Sequence, residues 1–114
     1  MSIEISSDHV LLVELPGEPQ IRKELNNVID RVQHNGDCDV VLDFSNVTIL
    51  VSWTLVPLIR LKGLLDSSER RLLFCCMTST TRDIFSTTAL DDVFDIVKSR
   101  SDALALTQAS AQQT

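Results

Sequence analysis

The stretch "VVLDFSNVTILVSWTLVPLIRL", Val40 to Leu61, joins two hydrophobic patterns that belong to different secondary structures. Its first part is a short, unbroken apolar run, which is typical of a strand covered on both faces of a sheet. From about Leu55 to Asp66 the apolar residues recur at helical spacing instead. We therefore predict a strand, a turn around Val51–Thr54, and a helix. The inward-facing residues predicted for this helix are Leu55, Leu58, Ile59, Leu61 and Leu65.

The rest of the chain continues this alternation of strands and helices. "IEIS" and "HVLLVEL" are predicted to be two strands, followed by a helix with one apolar face between Ile21 and Val32. "RRLLFCCM" and "VFDIV" are two further strands. The hydroxyls of "TSTT" are suited to cap a short helix over 82–87, and "SRSDALALTQA" predicts a last helix.

The predicted order is β-β-α-β-α-β-α-β-α. This order indicates an α/β fold with a mixed, mainly parallel sheet and helices packed on it. A length of 114 residues fits one domain over 1–114, and we expect a frayed tail over about 107–114. In such folds, sites gather where strands end and helices begin, which describes the Val51–Thr54 turn.

Composition excludes several classes of function. The formal net charge is −6, and no basic cluster is present that would suit the phosphate backbone of a nucleic acid. No apolar run approaches the roughly 20 residues of a membrane span, so we expect no direct insertion into a membrane. The N-terminal "MSIEISSDHV" does not resemble a signal peptide, and we expect a cytoplasmic protein.

The sequence contains few residues in patterns that would support catalysis or metal binding. There is no glycine-rich phosphate loop, and no base is placed to activate Ser52 as a nucleophile. Cys75 and Cys76 are adjacent, and neighbouring side chains on a strand point to opposite faces, so we expect them to be poorly placed to bind one metal ion. All three cysteines, including Cys38, are expected to be reduced and mostly buried. We predict no enzymatic activity, no metal and no cofactor.

Three segments resemble the STAS domain, the fold of bacterial anti-sigma factor antagonists. They are "VVLDFSNVTIL", with an aspartate after the apolar run, "TLVPLIRLKGLL" at the second helix, and "RRLLFCCMTSTTRDIFSTTALDDVFDIV". In the last segment Phe85, Leu90 and Phe94 match the family's apolar positions, whereas Ala89 stands where the family has glycine. The resemblance covers about Ile3 to Leu106 and implies a protein-binding regulator.

The resemblance also implies a phosphorylation switch from which this chain departs. In the family, the turn reads Asp-Ser-Ser-Gly, and an anti-sigma factor that is also a kinase phosphorylates the second serine. Laid on this sequence, the motif falls on Val51, Ser52, Trp53 and Thr54, of which only Ser52 matches. Trp53 has no hydroxyl to accept a phosphate. We therefore expect the serine switch to be altered or lost.

Each residue of the turn has two interpretations. Trp53 is either an interface anchor, because tryptophan dominates binding hot spots, or a cover for apolar surface at the sheet edge. Ser52 and Thr54 are either substitute phosphoacceptors or capping hydroxyls, and the second is the commoner role. Pro57 disfavours α geometry at Val56, so we expect the helix to start late, near Leu55–Pro57, with Thr54 as its cap.

The resemblance favours a non-enzymatic module that binds a protein partner related to anti-sigma factors or serine kinases. The predicted partner-binding residues are Ser52, Trp53, Thr54 and Leu55. A second hypothesis is an accessory subunit of a lipid-type ABC transporter, because small STAS-like proteins also serve there. A small-ligand or nucleotide sensor is a third, which the absence of a glycine-rich loop disfavours.

Overall fold

The computed structural model of the protein describes residues 3–7, 9–34 and 38–112, with side chains described within 9–34 and 38–107. The element order along these residues confirms the predicted alternation of strands and helices. The elements are β1 (Ile3–Ser7), β2 (Val10–Glu14), α1 (Gln20–His34), β3 (Asp39–Asp43), α2 (Ser52–Ser67), β4 (Leu72–Cys75), α3 (Ser79–Thr87), a 3-10 turn (Leu90–Asp92), β5 (Asp95–Ile96) and α4 (Arg100–Gln112).

The five strands lie side by side in chain order, β1-β2-β3-β4-β5. Strand β1 pairs with β2 antiparallel, and β2 to β5 pair in parallel, which confirms the mixed, mainly parallel sheet. One α-helix connects each parallel strand to the next: α1 connects β2 to β3, α2 connects β3 to β4, and α3 connects β4 to β5. Because successive parallel strands are added in the same direction along the sheet, right-handed crossovers place all the connecting helices on the same face. The buried side chains of the strands divide accordingly between two core clusters, one on each face. Helices α1, α2 and α3 cover one face, and α4 covers the other.

An aromatic cluster forms the centre of the larger core. All four phenylalanines of the chain, Phe44, Phe74, Phe85 and Phe94, are buried. The ring of Phe74 lies at 4.8 Å from that of Phe44, 5.8 Å from that of Phe85 and 4.7 Å from that of Phe94, measured between centroids. Through this cluster, the ends of β3 and β4 pack against α3 and against the segment before β5.

Helix α2 differs from its prediction at both its start and its buried face. It begins at Ser52 rather than near Leu55, and Pro57 lies inside it. Tertiary contacts override the tendency of Pro57 to delay the helix start. Helix α2 buries Leu58, Leu61 and Leu65, and Thr54 in its first turn is buried and hydrogen-bonded to Glu18. Ile59 was expected to face inward but is 51% exposed, since it lies one position, about 100°, around the helix from Leu58.

Two features near the end of the chain concern residues that the sequence analysis singled out. Ala89, which stands where the family has glycine, adopts the left-handed backbone conformation with φ 61 that glycine favours. Helix α4 continues to Gln112, and it therefore includes most of the segment for which we predicted a frayed tail. Thr107 is fully buried in this helix, and its Oγ1 donates to the carbonyl of Leu104.

Candidate partner-binding site

Several exposed apolar side chains lie just before α2 and along its first two turns. Trp53 is 73% exposed, Ile49 65% and Val56 62%, and Ile59 and Val51 are also exposed. Trp53, Val56 and Ile59 follow one another at a spacing of three, so they share one side of α2. Single exposed apolar residues are ordinary, whereas contiguous exposed apolar patches are commonly found at interaction sites. We call this set, Ile49, Val51, Trp53, Val56 and Ile59, the α2 surface.

The structure tests one of the two interpretations of Trp53, namely that it covers the sheet edge. Thr54 and Leu58 define the side of α2 that faces the core, and Trp53, one position from Thr54, points away from it. Its side chain therefore does not fold back over the sheet edge, and the covering interpretation is wrong. A large, rigid, exposed indole at a helix start has the properties of an interface anchor.

Thr54 connects the first turn of α2 to the residue Glu18 through a buried hydrogen bond. It is fully buried, and its Oγ1 donates to the carboxylate of Glu18, just before α1. The backbone N–H of Val51 donates to the same carboxylate oxygen at 3.4 Å. A carboxylate beside a helix N-terminus also interacts favourably with the helix dipole. Glu18 thus supplies, from 36 residues away, an acidic group at the turn whose motif lacks one at Val51.

The remaining turn residues occupy different environments. Ser52 is exposed, whereas Leu55 is partly buried and packs against the core. The cap position belongs to Val51, whose side chain makes no capping bond, so the prediction that Thr54 caps the helix is wrong. Of the four predicted partner-binding residues, the structure exposes Ser52 and Trp53. It buries Thr54, whose hydroxyl a kinase could reach only if the turn opened.

The bond between Thr54 and Glu18 leads to a stability prediction. We expect Glu18→Ala to lower the free energy of unfolding by about 1–2 kcal/mol, because the buried Thr54 hydroxyl loses its acceptor. Thr54→Val should cost a similar amount. Urea unfolding of both variants and of the double variant gives their coupling, which we expect to reach at least about 0.5 kcal/mol. Additive effects would show that the two side chains do not act together.

A charged cluster joins the carboxyl ends of β2 and β3 to the start of α4. The Arg100 guanidinium bonds to Asp43 through Nε, and its Nη2 lies 3.3 Å from the Glu14 carboxylate. The Ser45 backbone N–H donates to Asp43 Oδ1 at 2.8 Å. Burial alone would raise the pKa of Asp43, but these bonds from Ser45 and Arg100 outweigh it and lower the pKa below its usual range. Asp43 is therefore a buried anion that anchors α4.

The two adjacent cysteines do not lie on opposite faces, which corrects our expectation. Strand β4 ends at Cys75, and Cys76 takes a left-handed conformation with φ 61, so the period-two alternation stops between them. Their Sγ atoms and a carboxylate oxygen of Asp43 lie within 4.8 Å of one another. Burial, followed by the Cys76 thiol, raises the pKa of Cys75 to about 12. Cys75 is buried as expected, whereas Cys38 and Cys76 are only partly buried.

In the part of the chain that the structure describes, no helix combines the length and apolar character needed to cross a membrane.

Comparison with known proteins identifies the family. A model of the STAS domain matches residues 8–103. No curated protein matches the sequence. Similar solved structures include an anti-sigma factor antagonist candidate from Thermotoga maritima, with 18% identity and a TM-score of 0.81 over 93% of this chain and 92% of that one.

Two other solved structures share the fold. An anti-sigma-factor antagonist (STAS) domain protein from Planctomyces limnophilus has 15% identity and a TM-score of 0.78 over 95% of this chain and 99% of that one. The Bacillus cell fate determinant SpoIIAA in its phosphorylated form has 12% identity and a TM-score of 0.70 over 90% and 95%. These likenesses concern the fold, and the family model covers most of the sequence: the chain belongs to the STAS domain family.

Proposed function

We propose that this protein is a non-enzymatic, protein-binding regulator of the anti-sigma factor antagonist type, acting in the cytoplasm. The observation that carries the proposal is the 73% exposure of Trp53 at the start of α2, within the α2 surface. Membership of the STAS family and the likeness to solved anti-sigma factor antagonists support a regulatory role. The proposed partner is an anti-sigma factor related to serine kinases, bound through Trp53, Ser52 and the exposed side of α2.

The environment of the turn supports a switch that is altered rather than retained. The residue aligned with the family's phosphoserine is Trp53, which cannot accept a phosphate. The Glu18 carboxylate already lies at the N-terminus of α2, where it contacts Val51 and Thr54. A phosphate on Ser52 would add about 1.5 to 2 negative charges close to this carboxylate, and like charges repel. Binding therefore does not depend on phosphorylation of this turn.

We expect the proposed kinase-like partner, given ATP, to transfer no phosphate to the wild-type protein. Intact-mass spectrometry after incubation measures this directly, and Ser52→Ala is the matched control because Ser52 is the exposed hydroxyl of the turn. A gain of one phosphate that disappears in Ser52→Ala would show that the switch has moved by one residue instead of being lost.

Affinity capture from the native host tests the proposed function. The intact protein serves as bait, an unrelated tagged domain of similar size serves as control, and mass spectrometry identifies what is retained. Recovery of an anti-sigma factor with a serine-kinase fold is expected. Recovery of the permease and ATPase of a lipid transporter would favour the accessory-subunit hypothesis instead, and recovery of neither would contradict both.

A further inference from the structure

The cluster of Asp43, Cys75 and Cys76 lies on the face of the sheet that α4 covers, away from the α2 surface. Asp43 and Cys75 are directly paired residues at the ends of the parallel strands β3 and β4. Side chains of paired residues point to the same face, so the carboxylate and the first thiol are neighbours by register. The left-handed turn at Cys76 then brings the second thiol to the same place.

These three groups form a donor set suited to one kind of ion. Two cysteine sulfurs and a carboxylate oxygen, all within 4.8 Å of one another, match the ligands that Zn²⁺ takes in proteins. Mg²⁺ and Ca²⁺ prefer oxygen ligands alone, so the thiols disfavour them. Cys76 is only partly buried, which leaves an approach from solvent to an otherwise enclosed cluster.

Arg100 does not exclude a cation here. In the structure Asp43 Oδ1 accepts from the Ser45 N–H and Oδ2 from Arg100, and the Ser45 side chain also donates to this carboxylate. A carboxylate has about four acceptor positions, so one remains for a metal ion. Two thiolates and the Asp43 carboxylate carry three negative charges, which a divalent ion and the Arg100 guanidinium would balance. The Glu14 carboxylate beside Arg100 then leaves the whole cluster with one net negative charge. In this arrangement Arg100 orients the carboxylate, as partners of metal ligands commonly do.

We propose that Asp43, Cys75 and Cys76 bind one divalent cation of the zinc class at the carboxyl ends of β3 and β4. The site is independent of the α2 surface, and it fixes the end of β4 to the end of β3 and, through Arg100, to α4. Binding converts both thiols to thiolates and releases their protons to solvent.

The test titrates the intact protein with Cd²⁺ as a spectroscopic probe and with Zn²⁺ in competition, in the presence of a phosphine reductant. We expect a thiolate-to-metal absorption band that saturates at one ion per chain and is displaced by Zn²⁺. Cys76→Ser should weaken binding at least about tenfold, because loss of a mere hydrogen-bond partner of a ligand already costs about 10–100-fold in metal affinity. Circular dichroism and thermal unfolding establish that this variant folds, and Cys76 is chosen because it is only partly buried.

Cys38→Ser is the matched control, because Cys38 precedes β3 at the opposite end of that strand from Asp43. It should bind Cd²⁺ like the wild type. The proposal is overturned by the absence of the band, by equal binding in Cys76→Ser and wild type, by loss of binding in Cys38→Ser, or by saturation at one ion per two chains.

Discussion

Trp53→Ala is expected to weaken binding of the proposed anti-sigma partner about 30-fold or more. Hot-spot tryptophans contribute at least about 2 kcal/mol when truncated, which corresponds to that factor. The fold should not change, because Trp53 is 73% exposed and its neighbour Thr54 holds the helix start through Glu18. Isothermal titration calorimetry of wild type and variant against the captured partner measures the ratio of dissociation constants, and urea unfolding checks that stability is preserved.

A matched control for this prediction lies on the other side of the sheet. Leu106 is also an exposed apolar residue on a helix, at 41%, but it belongs to α4. Leu106→Ala removes apolar surface without touching the α2 surface, and its dissociation constant should stay within about twofold of the wild type. Equal effects of Trp53→Ala and Leu106→Ala would mean that binding follows overall apolar exposure and not a specific surface.

Phe74→Ala is expected to lower the free energy of unfolding by about 3–5 kcal/mol. Its ring is fully buried and lies within 6 Å of the three other phenylalanine rings, so truncation leaves a cavity that these three rings border. Because native domains are stable by only about 5–15 kcal/mol, the variant would be close to unfolding at moderate temperature. Urea or thermal denaturation followed by circular dichroism gives the change.

Val93→Ala provides the comparison for the core substitution. Val93 lies next to Phe94 in sequence but is 44% exposed, so its truncation should change stability by no more than about 0.5 kcal/mol. A loss below about 1 kcal/mol in Phe74→Ala would contradict the central position that the structure gives to this ring. A loss in Val93→Ala as large as that in Phe74→Ala would contradict the difference in burial.

Much of the fold could be predicted from local patterns. Short stretches of sequence sufficed for two elements: the helical spacing of apolar residues from Ile21 to Val32, and the largely apolar run from Val40 to Phe44. The structure places the first in α1 and the second in and directly after β3, as predicted. The alternation of strands and helices then restricts the sheet to a mainly parallel one. Local rules failed where tertiary contacts compete with them. Pro57 predicted a late helix start, yet the buried Thr54 and its bond to Glu18 hold an additional turn before it.

The sequence could nominate a candidate site but could not predict its geometry. The resemblance to STAS domains drew attention to 51–54, but no pattern distinguishes an exposed tryptophan from one folded onto the sheet. The contact of Glu18 with Thr54 joins residues far apart in sequence, and the one signal for it was a helix start with no acidic residue of its own in the first turn. Likewise, the alternation of side chains along a strand predicted that Cys75 and Cys76 lie on opposite faces. The left-handed conformation of Cys76, which no sequence pattern indicated, places them together.

The most direct test of the central claim uses the single tryptophan of the chain. In a ¹H–¹⁵N spectrum of the labelled protein, the one indole Nε1–H signal belongs to Trp53, and an unlabelled partner contributes no signal. On addition of the proposed anti-sigma partner, we predict that this signal and the backbone amides of about 49–60 are the most strongly perturbed. An unchanged indole signal, with the perturbation confined to α4 and its face of the sheet, would contradict the assignment of the α2 surface as the partner-binding site.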